Sequence, residues 1–180
     1  PGPERSMPAT CPKDIFYLDV LPMPTVDNLN YLLILVDAFS NYIMAVPMKN
    51  KSSHCIKIAM ENAFNITGLP NKLYTDCEIT LISALKEISK AYNIPVQTST
   101  PYAHCQNLAE AGIHTFKKGL SNFLNSSNTK SKWPATLPLV LDSVNNLPCK
   151  DIQLSRAEIF FSSTNHLRFL EGHTMIKDTI

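Results

Sequence analysis

The order of apolar segments constrains the fold of this chain more than any other feature of its sequence. Three apolar runs follow one another with links too short to hold a helix, at residues 15–20, 31–36 and 42–46. β-Branched and aromatic residues dominate these runs, which is typical of strands. Since short links join antiparallel neighbours, we predict a three-stranded meander whose first strand ends before Pro22 and whose third ends before Pro47.

The pattern changes after residue 50. Helical and strand-like segments alternate there, at residues 54–64, 72–75, 81–92 and 95–98. Ser52 or Ser53 is suited to cap the first of these helices. Strands separated by helices run parallel and are joined by right-handed crossovers. The sequence therefore predicts an α/β fold with a five-stranded mixed sheet flanked by helices.

The second half of the chain is mainly helical. We predict helices at residues 108–124, 133–146 and 155–161, with a polar, Ser-rich link at 125–132. Trp133 is expected to pack the last helices onto the sheet. The predicted organisation is a linker at 1–12, one domain at 13–163 and a C-terminal extension at 164–180.

The composition excludes several classes of protein. The chain has 180 residues, of which 44% are hydrophobic, so a packed core is expected and extensive disorder is not. No apolar run approaches the roughly 18 residues of a membrane span. The first ten residues have no hydrophobic centre of the kind found in signal peptides. We expect a soluble, intracellular protein without a membrane partner.

Charge and cysteine content narrow the functional classes further. The formal net charge is only +1, so any contact with nucleic acid must depend on a local basic patch or on parts outside this chain. The five cysteines are widely spread and form no C-x-x-C pair, which argues against a disulfide framework and a cysteine-rich zinc site. Reduced thiols are the simplest interpretation.

Three acidic residues lie where the predicted elements end or begin. Asp19 stands in the first apolar strand, Asp76 follows the fourth strand, and Glu110 opens the long helix. If the first and fourth strands are neighbours, these carboxylates meet at one edge of the sheet, where they repel one another unless cations lie between them. Such a cluster is typical of a Mg²⁺ or Mn²⁺ site for phosphoryl chemistry. Structural roles stay open, since Asp76 can form a turn and Glu110 can stabilise a helix N-terminus.

Several short segments occur in a fixed order along the chain. They are Phe-Tyr-Leu-Asp-Val-Leu-Pro at 16–22, Leu-Val-Asp-Ala-Phe-Ser at 35–40, Gly-Leu-Pro at 68–70 with Thr-Asp at 75–76, Ser-Thr-Pro-Tyr at 99–102, Asn-Leu-Ala-Glu at 107–110 and Ser-Arg-Ala-Glu-Ile-Phe-Phe at 155–161. Their order and spacing over about residues 11–163 resemble the catalytic core of retroviral and LTR-retrotransposon integrases. The resemblance implies a ribonuclease-H-like fold.

The resemblance also implies a reaction and its residues. Asp19, Asp76 and Glu110 match the family's catalytic triad, which binds two Mg²⁺ or Mn²⁺ ions. The implied activity is trimming of a DNA 3′ end, followed by transfer of that end into target DNA. The implied partners are element ends, target DNA and a second copy of the chain, with flanking integrase domains or host factors. A nuclear location after passage through the cytoplasm follows from that activity.

The resemblance further implies DNA contacts around the triad, at Tyr102, Gln106, His114, Lys117 and Lys118. Helical spacing places Lys117 on the same face as Glu110, and lysines are suited to contact phosphates. Tyr102 and Gln106 match a mobile loop before the catalytic glutamate.

Two departures from the family pattern leave alternatives open. Cys77-Glu78 replaces the usual Asn or Gln followed by Gly, and Gln106-Asn107 replaces Asn-Gly. A glutamate at position 78 can help or impair metal binding. One alternative is a catalytically silent descendant that serves as an interaction or scaffold domain, and another is a hydrolytic nuclease of the same fold. Asp37, by contrast, is expected to stabilise the turn completed by Phe39 and Ser40.

Overall fold

A computed structural model of the chain describes residues 9–75, 78–98, 106–126, 133–149 and 152–162, with the backbone alone described at 106–111 and 126. The strands are β1 (Ile15–Val26), β2 (Leu29–Asp37), β3 (Ile43–Met48), β4 (Lys72–Thr75) and β5 (Val96–Thr98). The helices are α1 (Ser53–Thr67), α2 (Ile79–Tyr92), α3 (Gln106–Ser126), α4 (Trp133–Asn146) and α5 (Arg156–Phe161). Within the described residues, none of the helices combines the length and apolar composition of a membrane-spanning segment.

The five strands form one mixed sheet in the order β3-β2-β1-β4-β5. β1 and β3 run antiparallel to β2, whereas β4 runs parallel to both β1 and β5. This arrangement confirms the predicted meander and crossovers, and it makes the first and fourth strands neighbours. β1 therefore lies at the centre of the sheet.

Each face of the sheet is covered by its own group of helices. α1 and α2 pack on the face that contains Phe16 and Leu35, and α3 and α4 pack on the face that contains Ile34 and Val36. This alternation follows from the period of two along a strand, which sends successive side chains of β2 to opposite faces. Residues from both helical layers can therefore lie close to the ends of the strands.

Trp133 fixes the start of α4 against β1. Its side chain is fully buried, and its indole Nε1–H donates to the backbone oxygen of Pro24 at 2.7 Å. The same core contains Phe116 from α3 and Leu32 from β2. The predicted core role of Trp133 is thus confirmed.

The prediction that β1 ends before Pro22 was wrong, because β1 continues to Val26. Beyond the part that contacts β4, it pairs with β2 alone, and the register shifts between Pro22 and Val26. Proline is tolerated at such irregular positions because no ladder N–H is required of it there. Asp27 and Asn28, both with positive φ, close the tight hairpin turn between β1 and β2.

The prediction that the third strand ends before Pro47 was also wrong, because β3 continues to Met48. β3 is the edge strand, so a residue without an N–H group leaves no unpaired partner on its outer side. Near the start of β3, the Asn145 side chain accepts from the Ile43 N–H at 2.9 Å and donates to the Ile43 oxygen at 2.8 Å. This amide from α4 satisfies the backbone at the start of the edge strand.

The segment at residues 155–161 has a structural role at the end of the domain. Ser155 and Glu158 form a capping box at the start of α5. The Arg156 Nη1 donates to the backbone oxygen of Val144 at 2.7 Å, close to the end of α4. Phe160 is buried and stacks on Tyr42 with ring centroids 4.5 Å apart. These contacts join α5 to α4 and to the start of β3.

Asp37 stabilises the turn between β2 and β3, as predicted. Its buried carboxylate accepts hydrogen bonds from the Lys13 N–H at 2.7 Å, the Ser40 N–H at 2.8 Å and the Ser40 hydroxyl at 2.6 Å. Burial raises the pKa of Asp37, whereas the hydrogen bonds from Ser40 and Lys13 oppose that rise. The carboxylate therefore connects the segment before β1 with the turn after β2.

We expect Asp37→Ala to lower the free energy of unfolding by about 3 kcal/mol, because it leaves buried N–H groups without an acceptor. Urea denaturation followed by circular dichroism measures this loss. Asp14→Ala is the control, since the hydrogen bonds that Asp14 accepts from Thr10 and Asn71 are exposed. A loss for Asp37→Ala no larger than that of the control would contradict the assigned role.

Candidate functional site

Asp19 lies in β1 and projects toward the helical layer formed by α3 and α4. Its partner across the antiparallel pair is Ile34, which belongs to the core under these helices. The flanking residues Leu18 and Val20 face the opposite layer and are buried. The Asp19 side chain is 30% exposed, so its carboxylate lies at the margin of the core and is open to solvent and ligands.

Lys117 from α3 makes a direct ion pair with Asp19. Its Nζ lies 3.0 Å from the Asp19 Oδ2, and its side chain is 41% exposed. Helical side chains point back toward the N-terminus of their helix, so Lys117 covers the turn that precedes it. The sequence prediction assigned Lys117 to DNA phosphate, but the structure brings this ammonium onto the first predicted catalytic carboxylate.

The end of β4 lies beside Asp19, as the sequence predicted. Thr75, the last residue of β4, pairs with Leu18 in the parallel ladder, so β4 ends at the level of Asp19. The buried Thr75 Oγ1 has no hydrogen-bond partner in the part of the chain that the structure describes. Asp76 follows in sequence and lies, with Cys77, outside the described residues.

α3 begins earlier than predicted. Gln106 is its first residue, so Gln106 and Asn107 belong to the helix and not to the loop in which they were predicted. Glu110 consequently lies in the second turn of α3 and does not open it. Neither Gln106 nor Asn107 is a proline or glycine, so neither residue stops a helix at this point. The side chains of Gln106 and Glu110, and the whole of Tyr102, lie outside the described residues.

The remaining predicted DNA contacts lie on the exposed side of α3. His114 and Lys118 are both exposed. Glu110 precedes Lys117 by seven residues, which corresponds to about 10 Å along the helix axis. Polar residues at positions 110, 114 and 117 therefore follow one another along α3 toward the Lys117–Asp19 pair.

Gly112 allows α3 to lie close to the sheet. A Cβ built at this position would lie 3.2 Å from the Val36 Cγ1 and 3.6 Å from the Asn41 Oδ1. The contact with Val36 is tighter than ordinary van der Waals packing, whereas the contact with Asn41 is of ordinary length. A larger residue would therefore require the Val36 side chain or α3 to shift by a few tenths of an ångström. The absence of a side chain at Gly112 therefore contributes to the close approach of α3, the helix that carries Lys117.

The glutamate at position 78 is engaged by a lysine that the sequence prediction missed. The Lys51 Nζ lies 2.9 Å from the Glu78 Oε1, and the same oxygen accepts from the Thr80 hydroxyl at 3.2 Å. Lys51 also lies over the Tyr31 ring, 5.5 Å from its centroid. A lysine soon after the third apolar run was the signal in the sequence, but only the fold shows that it faces Glu78.

The electrostatics link this second pair to the first. The hydrogen bond to Glu78 raises the pKa of the Lys51 ammonium. Asp19 adds a smaller Coulombic contribution in the same direction, so Lys51 lies within electrostatic range of Asp19. The described part of the site therefore contains two carboxylates and two ammonium groups, and each carboxylate has its own lysine.

The donor chemistry fits a divalent cation. Asp19 offers hard, negatively charged oxygen atoms at a solvent-accessible strand position, which is the ligand type that Mg²⁺ and Mn²⁺ prefer. Thr75 pairs with Leu18, so its unpartnered hydroxyl lies on the opposite face of the sheet from Asp19 and adds nothing to this donor set. Among the described residues no group of three His, Cys, Asp or Glu side chains forms a metal cluster. Two of the three predicted ligands, Asp76 and the side chain of Glu110, lie outside that set.

Comparison with known proteins relates this geometry to a family. The model of the integrase core domain matches residues 9–104, a segment that includes Asp19 and Asp76 and ends before Glu110. The chain is 29% identical over 177 residues to the retrovirus-related Pol polyprotein from transposon RE1 of Arabidopsis thaliana, across 92% of this chain. A second Pol polyprotein of that plant, from transposon RE2, is 28% identical over 163 residues, across 86% of this chain. The chain spans only 12% and 11% of the two polyproteins.

Solved structures show the same fold. The dimeric form of the HTLV-2 integrase catalytic core domain in complex with magnesium is similar with a TM-score of 0.69 and 20% identity, covering 84% of this chain and 99% of that one. The catalytic core domain of BIV integrase gives a TM-score of 0.70 at 16% identity, covering 87% and 99% of the two chains. A chain of the simian T-cell lymphotropic virus intasome gives a TM-score of 0.74 at 21% identity, covering 86% and 56%. The predicted ribonuclease-H-like fold is confirmed.

Proposed function

The chain belongs to the family of integrase core domains, and from this premise we propose that it is a DNA strand-transfer enzyme that depends on a divalent metal ion. The observation that carries the proposal is the Asp19 carboxylate, held on the central strand beside the end of β4 and reached by Lys117 from α3. A carboxylate in this position is suited to hold a cation against DNA phosphate.

The proposed ligands are Asp19, Asp76 and Glu110. When bound, Mg²⁺ or Mn²⁺ would supply Lewis-acid activation of the phosphoryl group and of the attacking oxygen. The residues of the chain would orient the DNA for in-line attack, first by water on a 3′ end and then by the new 3′ hydroxyl on target DNA. The first displacement hydrolyses a phosphodiester and leaves a 3′ hydroxyl and a 5′ phosphate. The second forms one phosphodiester while it breaks another in the target, so strand transfer needs no external energy source.

The proposed DNA contacts are Tyr102, Gln106, His114, Lys117 and Lys118. The exposure of His114 and Lys118 on α3 supports this proposal, because both are accessible to a phosphate backbone. A formal net charge of +1 gives the chain little general attraction for DNA. Flanking integrase domains or host factors would then supply much of the salt-sensitive affinity.

The experiment that tests the proposal is a strand-transfer assay with Mg²⁺ or Mn²⁺. A branched DNA substrate that mimics an inserted end lets the purified chain catalyse the reverse reaction without added domains. We expect resealed target strands when metal is present and none when EDTA is added. Cut strands without any joined product would identify a nuclease, and the absence of both products with folded protein would identify a silent scaffold domain.

We also propose that the protein forms a homodimer. An apolar groove of about 190 Å³ runs between β3 and α1, and the Ile58 side chain beside it is 43% exposed. The HTLV-2 core structures that are similar over most of this chain include a dimeric and a trimeric form. A second copy of the chain would cover this apolar surface.

We expect Ile58→Lys to shift the protein from dimer to monomer, because a charge placed in an apolar interface loses its hydration. Light scattering after size-exclusion chromatography measures the mass. Ile66→Lys is the control, since Ile66 is 77% exposed and does not line the groove. Equal masses for the parent and both variants would contradict this choice of interface.

A nuclear site of action is the last part of the proposal. Target DNA lies in the nucleus of a eukaryotic host, and the curated relatives from transposons come from a plant. A fluorescent fusion of the full-length protein, viewed in such cells, tests the location. Exclusion from the nucleus at all times would contradict it.

A further inference from the structure

Lys117 takes part in two contacts, the observed one with Asp19 and the proposed one with DNA phosphate. Its Nζ lies 3.0 Å from the Asp19 Oδ2, within hydrogen-bond distance, so the ammonium is already committed to the carboxylate. The proposed function requires the same carboxylate for a cation and the same lysine for DNA. The ammonium and a cation therefore compete for the negative charge of the same carboxylate.

We propose that Lys117 is a displaceable internal counter-ion that couples cation binding to phosphate binding. This inference rests on the proposed function. Without a divalent cation, the ammonium neutralises Asp19 on the central strand. Binding of the cation takes over that charge, and Lys117 is released to contact a DNA phosphate near α3. Lys117 is thus a positioning residue whose partner depends on whether a divalent cation is bound at Asp19.

The exposure of the pair makes such an exchange feasible. The side chains of Lys117 and Asp19 are 41% and 30% exposed, and ion pairs that remain in contact with water are weak. A divalent ion has twice the charge of an ammonium group, so a carboxylate binds it more strongly. The lysine side chain is long and flexible, so it can change partners without movement of the helix backbone.

The other described cations around the site do not fit this role. Lys51 is bound to Glu78 at 2.9 Å and lies over the Tyr31 ring, so its charge already neutralises another carboxylate. Lys118 is exposed, and neither of the ion pairs of Asp19 or Glu78 includes it. Lys117 is the residue placed between the candidate metal ligand and the proposed path of the DNA.

A thermodynamic consequence follows from the exchange. If the cation releases Lys117 for phosphate, then phosphate must favour binding of the cation by the same factor, because coupling between two ligands is reciprocal. Removal of the ammonium should strengthen cation binding in the absence of DNA. Removal of the ammonium should also weaken the coupling between cation binding and phosphate binding, because Lys117 no longer takes part in it.

The test measures Mn²⁺ affinity by calorimetry on the parent chain and on Lys117→Met. Methionine keeps much of the aliphatic length and removes the charge. We expect Lys117→Met to bind Mn²⁺ about two- to fivefold more tightly than the parent without DNA, the range given by an ion pair worth about 0.5–1 kcal/mol. Lys118→Met is the matched control, because it removes the same charge from the next position of α3, and its affinity should equal that of the parent.

A second arm adds a DNA duplex with a 3′-dideoxy end, which can bind but cannot react. We expect the duplex to increase the Mn²⁺ affinity of the parent and to increase that of Lys117→Met by a smaller factor. Equal or weaker Mn²⁺ binding by Lys117→Met without DNA would overturn the inference. A gain in Mn²⁺ affinity without DNA that is as large for Lys118→Met as for Lys117→Met would also overturn the inference, because the effect would then be one of net charge.

Failure of the proposed function gives a different result. If the parent binds no Mn²⁺, or if Asp19→Asn binds it as tightly as the parent, Asp19 is not a metal ligand and the proposed function itself is wrong. If Mn²⁺ binding depends on Asp19 but not on Lys117, the proposed function stands and the counter-ion inference alone is overturned. Circular dichroism of each variant verifies that it is folded.

Discussion

We expect Asp19→Asn to abolish metal-dependent strand transfer while the fold is retained. The amide has the same shape as the carboxylate but no negative charge, so it holds a divalent cation far more weakly. Loss of several kcal/mol of transition-state stabilisation corresponds to a rate decrease of about a thousandfold or more. The amount of joined DNA product at saturating Mg²⁺ measures this decrease.

The stability of Asp19→Asn should change little. The substitution removes a partly exposed ion pair with Lys117, and such pairs contribute no more than about 1 kcal/mol. Asp142→Asn is a matched control, because it makes the same chemical change at an exposed position on α4. Strand transfer by Asp19→Asn at the rate of this control would contradict the assignment of Asp19 as a catalytic metal ligand.

The largest effect on stability is expected for Trp133→Ala. This substitution removes a fully buried indole and its hydrogen bond to the Pro24 oxygen. Truncation of a buried aromatic residue costs about 3–5 kcal/mol, and the lost hydrogen bond adds about 1 kcal/mol. We expect the free energy of unfolding to fall by about 4–6 kcal/mol, measured by urea denaturation.

Trp133→Phe tests the same contact more gently. Phenylalanine retains most of the apolar volume but has no N–H group, so we expect a loss of about 1–3 kcal/mol. This variant keeps the test informative if Trp133→Ala does not fold. A loss below about 0.5 kcal/mol for both variants would show that α4 does not depend on this residue for its attachment to β1.

The turn at Asp37 shows why part of the fold could be predicted locally. An Asp three residues before a Ser, between two apolar runs, satisfies nearby N–H groups whatever the rest of the chain does. The cap at Ser52 is equally local, since its hydroxyl oxygen accepts from the Cys55 N–H three residues later. Interactions of such short range leave a direct trace in the sequence.

The two strand ends that were predicted wrongly depend on distant neighbours. Pro22 interrupts a strand only if its missing N–H is needed by a partner, and the register of β1 with β2 removes that need. Pro47 is tolerated because β3 lies at the edge of the sheet. A proline has the same local properties in every chain, so its effect cannot be read without the pairing partners.

The candidate site likewise combines one feature that could be predicted from the local sequence with another that depends on distant residues. The carboxylate of Asp19 could be singled out from the sequence, because a charged residue within an apolar strand is costly unless it has a partner. The identity of that partner could not, since Lys117 is 98 residues away and reaches Asp19 only through the packing of α3 on the sheet. The pair between Lys51 and Glu78 was missed for the same reason.

The sequence by itself determined the order of strands and helices, the mixed character of the sheet and the acidic position on its first strand. These properties follow from the periodicity of apolar residues and from short-range capping, which are written in consecutive residues. Tertiary structure alone decided which lysine neutralises each carboxylate and how close α3 approaches the sheet. Side chains far apart in sequence meet only after the core has packed, so their pairing depends on the volume of residues such as Gly112 as much as on their own charge.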